Sequence, residues 1–283
     1  MPTLTYAAPG DPPFKSAVIR FIERLSGQTV LQSLYRSATQ DTSGSAGCDF
    51  WTVALDRLGI RLVIEGSGVS ALASGALPSS GPVVVAANHP YGIVDGLALC
   101  DIVSRSRPNF KILINGVLCR DERFDDHFLP IDFSDAADAR RTNLRSMREA
   151  LGTLRSGGAL AMFPAGGIAT SRRGFGPVRD LPWKPFIAHL VQKTDADVLP
   201  VHFGGRNSRL FQVASALSQT LRLSLIIREV LRMRGEEIAV RIGDLEPNEA
   251  LRAIGERDAI TEYLRRQTMG LGRPSPSADR FAG

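Results

Sequence analysis

Short apolar, β-branched runs alternate with helical patterns along most of this chain, and this alternation restricts its fold more than any other feature. The run Val83–Ala87 is bounded by a proline and by an Asn-His pair, as is typical of a buried strand. Helical spacing follows almost at once, with Ile93, Leu97 and Cys100 at positions i, i+4 and i+7. Strands that alternate with helices favour a largely parallel sheet covered by helices. The sequence therefore predicts an α/β fold.

The remaining elements continue the alternation and fit one domain of 283 residues. Further strands are predicted at 61–65, 110–114, 159–163, 198–203 and 238–242, and further helices at 50–58, 136–155 and 185–193. Residues 1–13, with four prolines, and the polar residues 37–49 are predicted to be irregular. We expect a helical extension over 1–60, the domain with the central sheet over 61–245, and a C-terminal helix with a flexible tail over 246–283.

An amphipathic helix is predicted near the N-terminus, because apolar residues recur there at helical spacing. The apolar positions are Phe14, Val18, Phe21, Ile22 and Leu25, and the basic residues among them are Lys15, Arg20 and Arg24. Two interpretations share this pattern. The helix either packs as an ordinary surface helix on the core, or lies at a membrane interface with its apolar stripe in the lipid.

The charge balance indicates an acidic partner surface, because 34 basic residues face 29 acidic ones and the pI is about 9.4. No basic block is interleaved with aromatic residues, so a nucleic-acid partner is not expected and an anionic membrane surface is. Residues 204–234 carry one acid, Glu229, and six arginines: Arg206, Arg209, Arg222, Arg228, Arg232 and Arg234. This group could hold anionic headgroups, dock an acidic carrier protein, or form a solvated helix face.

The first residues lack the basic start and apolar run of a signal peptide, and no window holds about 18 consecutive apolar residues. The three cysteines, Cys48, Cys100 and Cys119, are far apart and have no histidine close by in the sequence, so neither a disulfide framework nor a metal site is expected. We expect a cytoplasmic protein that is peripheral on the inner face of the cell membrane.

The segment NHPYGIVD at 88–95 joins the buried strand to the following helix, a position typical of active-site groups in α/β sheets. Six residues turn through about 600°, so His89 and Asp95 cannot stack on one regular helix. With His89 in the loop and Asp95 in the first helical turns, however, the carboxylate can fold back towards the imidazole. It would then fix the imidazole tautomer and leave the other nitrogen free to take a proton from a hydroxyl or amine.

This segment resembles the N-H-x-x-x-x-D motif of the lysophospholipid and glycerolipid acyltransferase family. The resemblance covers residues 62–244, with Phe163-Pro164-Ala165-Gly166-Gly167 at the place of the family's F-P-E-G block and Leu199-Pro200-Val201 at its late apolar-Pro-apolar block. It implies the family's α/β fold, His89 as the general base, Asp95 as its partner, and an acceptor pocket beside residues 163–167.

A substrate-binding set is expected around that base. It comprises Asn88, Pro90, Gly92, Asn115, Phe163, Pro164, Ala165, Gly166, Gly167, Ser171 and Arg172. A glycine-rich turn after a strand can direct backbone N–H groups at a phosphate or a developing oxyanion, and Ser171, Arg172 and Arg173 would add donors and charge. The alternative for Gly166-Gly167 is a tight turn without a ligand.

The resemblance implies transfer of a fatty acyl group from an acyl-carrier protein or coenzyme A thioester to a lysolipid, without a metal or other cofactor. No G-x-S-x-G elbow occurs, so direct transfer is expected. Ala165 replaces the family's usual Glu and the following arginine is displaced to Arg172 or Arg173. This variant is similar to the bacterial hemolysin-like branch, which is associated with acceptors such as lyso-ornithine lipid. Two other functions stay open, namely hydrolysis by a thioesterase or lysophospholipase, and a membrane-binding scaffold without catalysis.

Overall fold

A computed structural model describes residues 5, 7, 12–42, 49–67, 80–119, 121–133 and 138–273, and its centre is a sheet of seven strands. The strands are β1 Arg61–Glu65, β2 Val83–Ala87, β3 Lys111–Asn115, β4 Phe128–Ile131, β5 Ala159–Met162, β8 Asp197–Phe203 and β9 Glu237–Ile242. Their spatial order is β1-β9-β8-β2-β5-β3-β4. A separate two-stranded ribbon is formed by β6 Thr170–Ser171 and β7 Val178–Arg179.

The sheet is mostly parallel. Strands β8, β2, β5, β3 and β4 all run in one direction. Strand β9 is antiparallel to β8, and β1 is parallel to β9, so these two strands run the other way. The predicted α/β class with a mostly parallel central sheet is therefore confirmed.

Helices cover both faces of the sheet. They are α1 Pro13–Leu25, α2 Gln28–Asp41, α3 Asp49–Leu58, α4 Ile93–Ser104, α5 Ala139–Arg155, α6 Phe186–Lys193, α7 Arg209–Leu217, α8 Gln219–Ser224, α9 Ile226–Arg232, α10 Asn248–Ala253 and α11 Arg257–Gly270. Buried residues of α1 to α4, α7 and α9 form one core, and those of α5, α6, α10 and α11 form the other.

Strand β2 belongs to both cores, as the alternation of side chains along a strand requires. Val83, Val85 and Ala87 face the first core, whereas Val84 and Ala86 face the second, and all five are fully buried. This two-sided burial explains the unbroken apolar run in the sequence. It also holds the end of β2, and the loop that follows it, in a fixed place at the middle of the sheet.

One local prediction was wrong, and one strand was not predicted. Residues 37–41 form the last turns of α2 instead of a loop, since Leu31 and Ala38 pack that helix on the core. Strand β4 was missed, because Pro130 within it argues against a strand; the structure places β4 at the sheet edge, where proline is tolerated. Residues 43–48, the tail from residue 274 and most of residues 1–11 lie outside the described residues.

The N-terminal helix α1 is amphipathic, but its apolar stripe does not pack on the core. Phe14, Phe21 and Leu25 are 82%, 64% and 74% exposed, and the buried side of α1 carries Ile19 and Glu23 instead. Helix α1 therefore packs on the core as a surface helix through Ile19, while Phe14, Phe21 and Leu25 face outward. Within the described part of the chain, no helix combines the length and apolar character needed to cross a membrane.

Candidate active site

The candidate site lies where three adjacent parallel strands end. Strand β2 is flanked by β5 and β8, so the segments that follow Ala87, Met162 and Phe203 emerge side by side at one edge of the sheet. After β2 the chain passes to one side of the sheet, and after β5 it passes to the other side. The gap between two such neighbouring strands is a topological switch point, where ligands bind in open α/β sheets. His89 lies at that edge.

His89 and Asp95 are in direct contact, as the sequence predicts. The Nδ1 atom of His89 lies 3.2 Å from Oδ1 of Asp95, with 16% of the imidazole and none of the carboxylate exposed. The second carboxylate oxygen accepts a hydrogen bond from the Tyr91 N–H at 2.8 Å, which holds Asp95 against the loop. Among the described residues neither Nδ1 nor Oδ1 has a well-aligned hydrogen-bond partner, so these two atoms have only each other.

The imidazole is held from its face as well as from its edge. Its ring stacks on Phe163, with centroids 4.0 Å apart and planes at 25°. Because the Asp95 carboxylate can only accept, we assign the imidazole proton to Nδ1, which leaves Nε2 with its lone pair. An oriented Nε2 with a buried carboxylate behind the ring is suited to taking a proton from a hydroxyl group.

The backbone of His89 is clamped by a carboxylate that sequence reasoning missed. Asp180 accepts the His89 N–H through Oδ1 at 3.2 Å and the Trp183 indole N–H through Oδ2 at 2.8 Å. Burial raises the pKa of Asp180, partly offset by these donors. On the other side, the His89 carbonyl accepts the Ala169 N–H at 2.7 Å. Asp180 follows His89 by 91 residues, so no sequence spacing signals this contact.

Asn88 joins the end of β2 to the end of β8. Its side-chain amide donates to the Phe203 carbonyl at 2.9 Å and accepts the Phe203 N–H at 2.7 Å, and the residue is 5% exposed. Tyr91 adds a second link, because its hydroxyl donates to the Gly204 carbonyl at 2.9 Å. Asn88 was predicted to orient the loop or the acceptor. With both ends of its amide engaged, this geometry supports orientation of the loop.

Two glycines allow this close packing. Gly92 has φ +97°, and a Cβ there would lie 2.7 Å from Cδ1 of Ile168. Gly205 has φ +102°, and a Cβ there would overlap the Tyr91 hydroxyl. Pro90, between the base and Tyr91, is buried. Gly92 and Pro90 thus shape the loop that carries His89.

The turn at 163–167 is tightly closed on itself. The Gly166 N–H donates to the Phe163 carbonyl at 3.0 Å, and the Pro164 carbonyl accepts the Lys184 N–H at 3.0 Å. The Gly166 N–H is therefore committed to the turn and is not directed at a ligand. A Cβ at Gly166 would lie 3.1 Å from Nζ of Lys184, so the turn has a cation beside it that was not predicted.

Ala165 is 2% exposed and packs in the second core with Trp183. A glutamate side chain at that position would carry a charge into an apolar environment, which is costly without a partner. The departure from the F-P-E-G pattern therefore matches the way this turn is buried. Gly167, next in the turn, has Leu181 beside it: a Cβ there would lie 3.0 Å from Cδ1 of that leucine.

Comparison with known proteins identifies the family. A family model described as acyltransferase matches residues 30–275. The chain belongs to this acyltransferase family. It is 28% identical over 231 residues to a lyso-glycine lipid O-acyltransferase of Phocaeicola vulgatus, covering 79% of this chain and 78% of that protein. It is 30% identical over 211 residues to a lyso-glycine lipid O-acyltransferase of Bacteroides thetaiotaomicron, covering 72% of each chain.

The predicted family and enzyme class are thus confirmed, and these relatives indicate a lysolipid O-acyltransferase. Within the acyltransferase, two other predicted binding residues, Ser171 and Asn115, lie on elements outside the catalytic loop. Ser171 is buried in the ribbon and donates its N–H to Oε1 of Gln212 at 2.9 Å. Asn115 ends β3, two strands from β2, and accepts the Val117 N–H at 3.0 Å. Their roles in binding stay predictions.

The six arginines between 204 and 234 do not form one surface in the acyltransferase. Arg228 and Arg232 make ion pairs with the buried Glu229, at 2.9 Å and 3.1 Å. Burial lowers the pKa of Arg222. Only the remaining three, Arg206, Arg209 and Arg234, are exposed without a salt bridge among the described residues. Glu229 therefore serves the fold, where it also accepts the Ser208 N–H at 2.7 Å.

Proposed function

We propose that this acyltransferase transfers a fatty acyl group from an acyl thioester to the hydroxyl group of a lysolipid, with His89 as general base and Asp95 as its partner. One observation carries the proposal: a stacked imidazole at the carboxyl end of β2 has a buried carboxylate 3.2 Å from Nδ1. Nucleophilic attack by a hydroxyl needs a base within reach whose tautomer is fixed, and this geometry provides one.

The reaction we propose is a direct transfer. Nε2 of His89 removes the acceptor proton while the acceptor oxygen attacks the thioester carbonyl carbon. The imidazolium formed in this step is stabilised by the Asp95 carboxylate at Nδ1. When the tetrahedral intermediate collapses, the carbon–sulfur bond breaks, the thiolate takes the proton from Nε2, and the ester product leaves with the base regenerated.

For the acceptor, we propose a lysolipid with an amino-acid headgroup. Support comes from the relatives, whose names specify lyso-glycine lipid as the acceptor. Lysophospholipid and lyso-ornithine lipid are the competing acceptors. Lys184 beside the turn at 163–167 offers one cation close to the site, suited to an anionic group on either substrate.

Thioesters of acyl-carrier protein and of coenzyme A carry the same reacting group. We propose an acyl thioester as the donor, in a reaction that uses no metal or other cofactor.

We also propose that the protein works as a peripheral protein on the inner face of the membrane. Support for this comes from α1, whose exposed stripe of Phe14, Phe21 and Leu25 is flanked by the exposed cations Lys15, Arg20 and Arg24.

Purified protein tests the proposal with matched thioesters and acceptors. Palmitoyl-coenzyme A and palmitoyl-carrier protein are each combined with lyso-glycine lipid, lyso-ornithine lipid or lysophosphatidic acid, and diacyl product is measured by mass spectrometry. The proposal expects acceptor-dependent product with an amino-acid lysolipid and none from His89→Gln. Free fatty acid that forms equally without acceptor would instead identify a hydrolase. No turnover in any combination, with vesicle binding intact, would identify a scaffold.

A further inference from the structure

The ribbon β6–β7 ends in a tip that is unusually apolar for a surface turn. Phe175 is 73% exposed between Gly174 and Gly176, which have φ +75° and +97°. Neither glycine has a side chain to shield the phenyl ring. Large exposed aromatic side chains at a tip of this kind are typical of contact with another surface.

The ribbon tip is held against α7. A Cβ at Gly174 would lie 2.9 Å from the Cα of Val213, and Arg209 donates from Nη1 to the Gly176 carbonyl at 3.4 Å. On α7, Leu210 is 50% exposed and Leu217 is 73% exposed. These two leucines are seven residues apart and so share one face of the helix. Phe175, Leu210 and Leu217 therefore line one surface, which we call the ribbon–α7 surface.

The charge around the ribbon–α7 surface is of one sign. Residues 170–179 contain three arginines and no acid, and residues 206–228 contain four arginines and no acid. The exposed members are Arg172, Arg173, Arg179, Arg206 and Arg209. Within the described ranges none of these five makes a salt bridge, whereas the half-buried Arg228 is paired with Glu229. Anionic lipid headgroups complement such a cationic rim around apolar side chains.

This surface is also joined to the candidate active site through the backbone. Ala169, next to β6, donates its N–H to the His89 carbonyl at 2.7 Å, and Ile168 lies against Gly92 in the catalytic loop. The chain then enters the ribbon directly. A lipid bilayer that contacts the ribbon tip would therefore touch the same segment that packs on the loop carrying His89.

We propose that the ribbon–α7 surface docks on an anionic bilayer, with Phe175 entering the lipid and the arginines contacting the headgroups. The inference rests on the proposed function, because it assigns this surface the role of presenting a membrane-borne acceptor. An acidic carrier protein is the other candidate occupant. The exposed aromatic and leucine side chains favour lipid, which can take up three separate apolar groups without a preformed complementary pocket.

A fluorescence experiment locates the contact. In Phe175→Trp, the new indole is exposed, whereas the two native tryptophans, Trp51 and Trp183, are 2% and 7% exposed. Vesicles of phosphatidylglycerol and phosphatidylcholine are titrated into the full chain. We expect a blue shift of the emission and quenching by doxyl-labelled lipid. Emission and quenching that match those of the wild-type protein would overturn the proposal.

Affinity for the same vesicles is then measured by co-sedimentation for three variants. Arg179→Ala combined with Arg209→Ala should weaken binding by about 25-fold, since each basic residue near an anionic surface contributes roughly a five-fold factor. Phe175→Ser should weaken it further, and Ile254→Ser, at an exposed apolar site on another part of the chain, should leave it unchanged. Wild-type affinity in the arginine and phenylalanine variants would contradict the proposal.

Activity on a short-chain, monomeric acceptor separates this inference from the proposed function. Each of these variants should turn over that acceptor as the wild type does, because no bilayer is needed. A wild-type protein that does not acylate the monomeric acceptor would refute the proposed chemistry but leave the vesicle result standing. If the variants instead lose activity with acyl-carrier protein and keep vesicle affinity, the surface binds the carrier protein, and the membrane proposal is wrong.

Discussion

Replacing Asp95 by asparagine should strongly reduce catalysis while leaving the fold intact. The change keeps the shape of the side chain, and it retains an oxygen to accept the Tyr91 N–H. It removes the negative charge next to Nδ1 of His89, however, and it places an amide where the imidazole needs an acceptor. The imidazole then favours the tautomer with its proton on Nε2, which cannot act as a base.

The size of the effect follows from the 3.2 Å separation of Nδ1 and Oδ1. At an effective dielectric constant of about 20, two unit charges at that separation interact by about 5 kcal/mol. The imidazolium is fully formed only after proton transfer, so the transition state gains between about half and all of this energy. Since 1.36 kcal/mol corresponds to a ten-fold change in rate, kcat/KM should fall by roughly 10²- to 10⁴-fold.

Asp101→Asn is the matched control. Asp101 lies on the same helix, is 1% exposed, and is bonded to Thr52 and Arg105 away from the site. Both variants lose a buried carboxylate, but only Asp95→Asn should lose activity in the purified acyl-transfer assay. Unfolding by urea, followed by circular dichroism, verifies that both are folded. An Asp95→Asn variant whose kcat/KM stays within about three-fold of wild type would refute the assigned role of Asp95.

Two further predictions concern the scaffold around the site. Gly205→Ala should lower the free energy of unfolding by about 2–4 kcal/mol, because φ is +102° and the new methyl group would overlap the Tyr91 hydroxyl. The control is Gly235→Ala, where φ is +76° but the space around the new methyl group is open. This control should lower the free energy of unfolding by only about 1 kcal/mol. Burial and the nearby Arg241 lower the pKa of His202 to about 4, below its usual 6.5. The unfolded chain therefore binds an extra proton between these values, so stability should fall as pH decreases from 6.5 to 4. Urea unfolding should show a smaller fall in the His202→Gln variant. Equal pH dependence in both proteins would contradict this reasoning.

The central part of the site was predictable because its determinants are local. An uninterrupted apolar run requires a strand buried on both faces, and β2 contributes to both cores. The short loop after β2 then restricts where His89 and Asp95 can lie relative to each other. Their contact needed only the geometry of one strand, one loop and one helical turn.

The supports of the catalytic loop were not predictable, because they come from distant parts of the chain. Asp180 and Phe203 follow the loop by about 90 residues or more, and they reach it only through the order of strands in the sheet. Nothing in the local sequence distinguishes Asp180 from a surface carboxylate. Spacing alone also could not show that Glu229 is buried and neutralises two arginines.

The orientation of α1 shows another limit of periodicity. The pattern of Phe14, Phe21 and Leu25 defines an apolar stripe but not the surface that it faces. In the structure the opposite side of α1, with Ile19 and Glu23, packs inward. Only the positions of the neighbouring helices decide between a core helix and an interfacial helix.

The central claim, that His89 is the base for acylation of a lysolipid, is tested most directly by lipid profiling in cells. Lipids are quantified by mass spectrometry in cells with the gene, without it, and without it but complemented by wild type or by His89→Ala. The account predicts that one lysolipid accumulates when the gene is absent and that only wild type restores its diacyl product. Equal restoration by His89→Ala, or no change in any lysolipid, would contradict it.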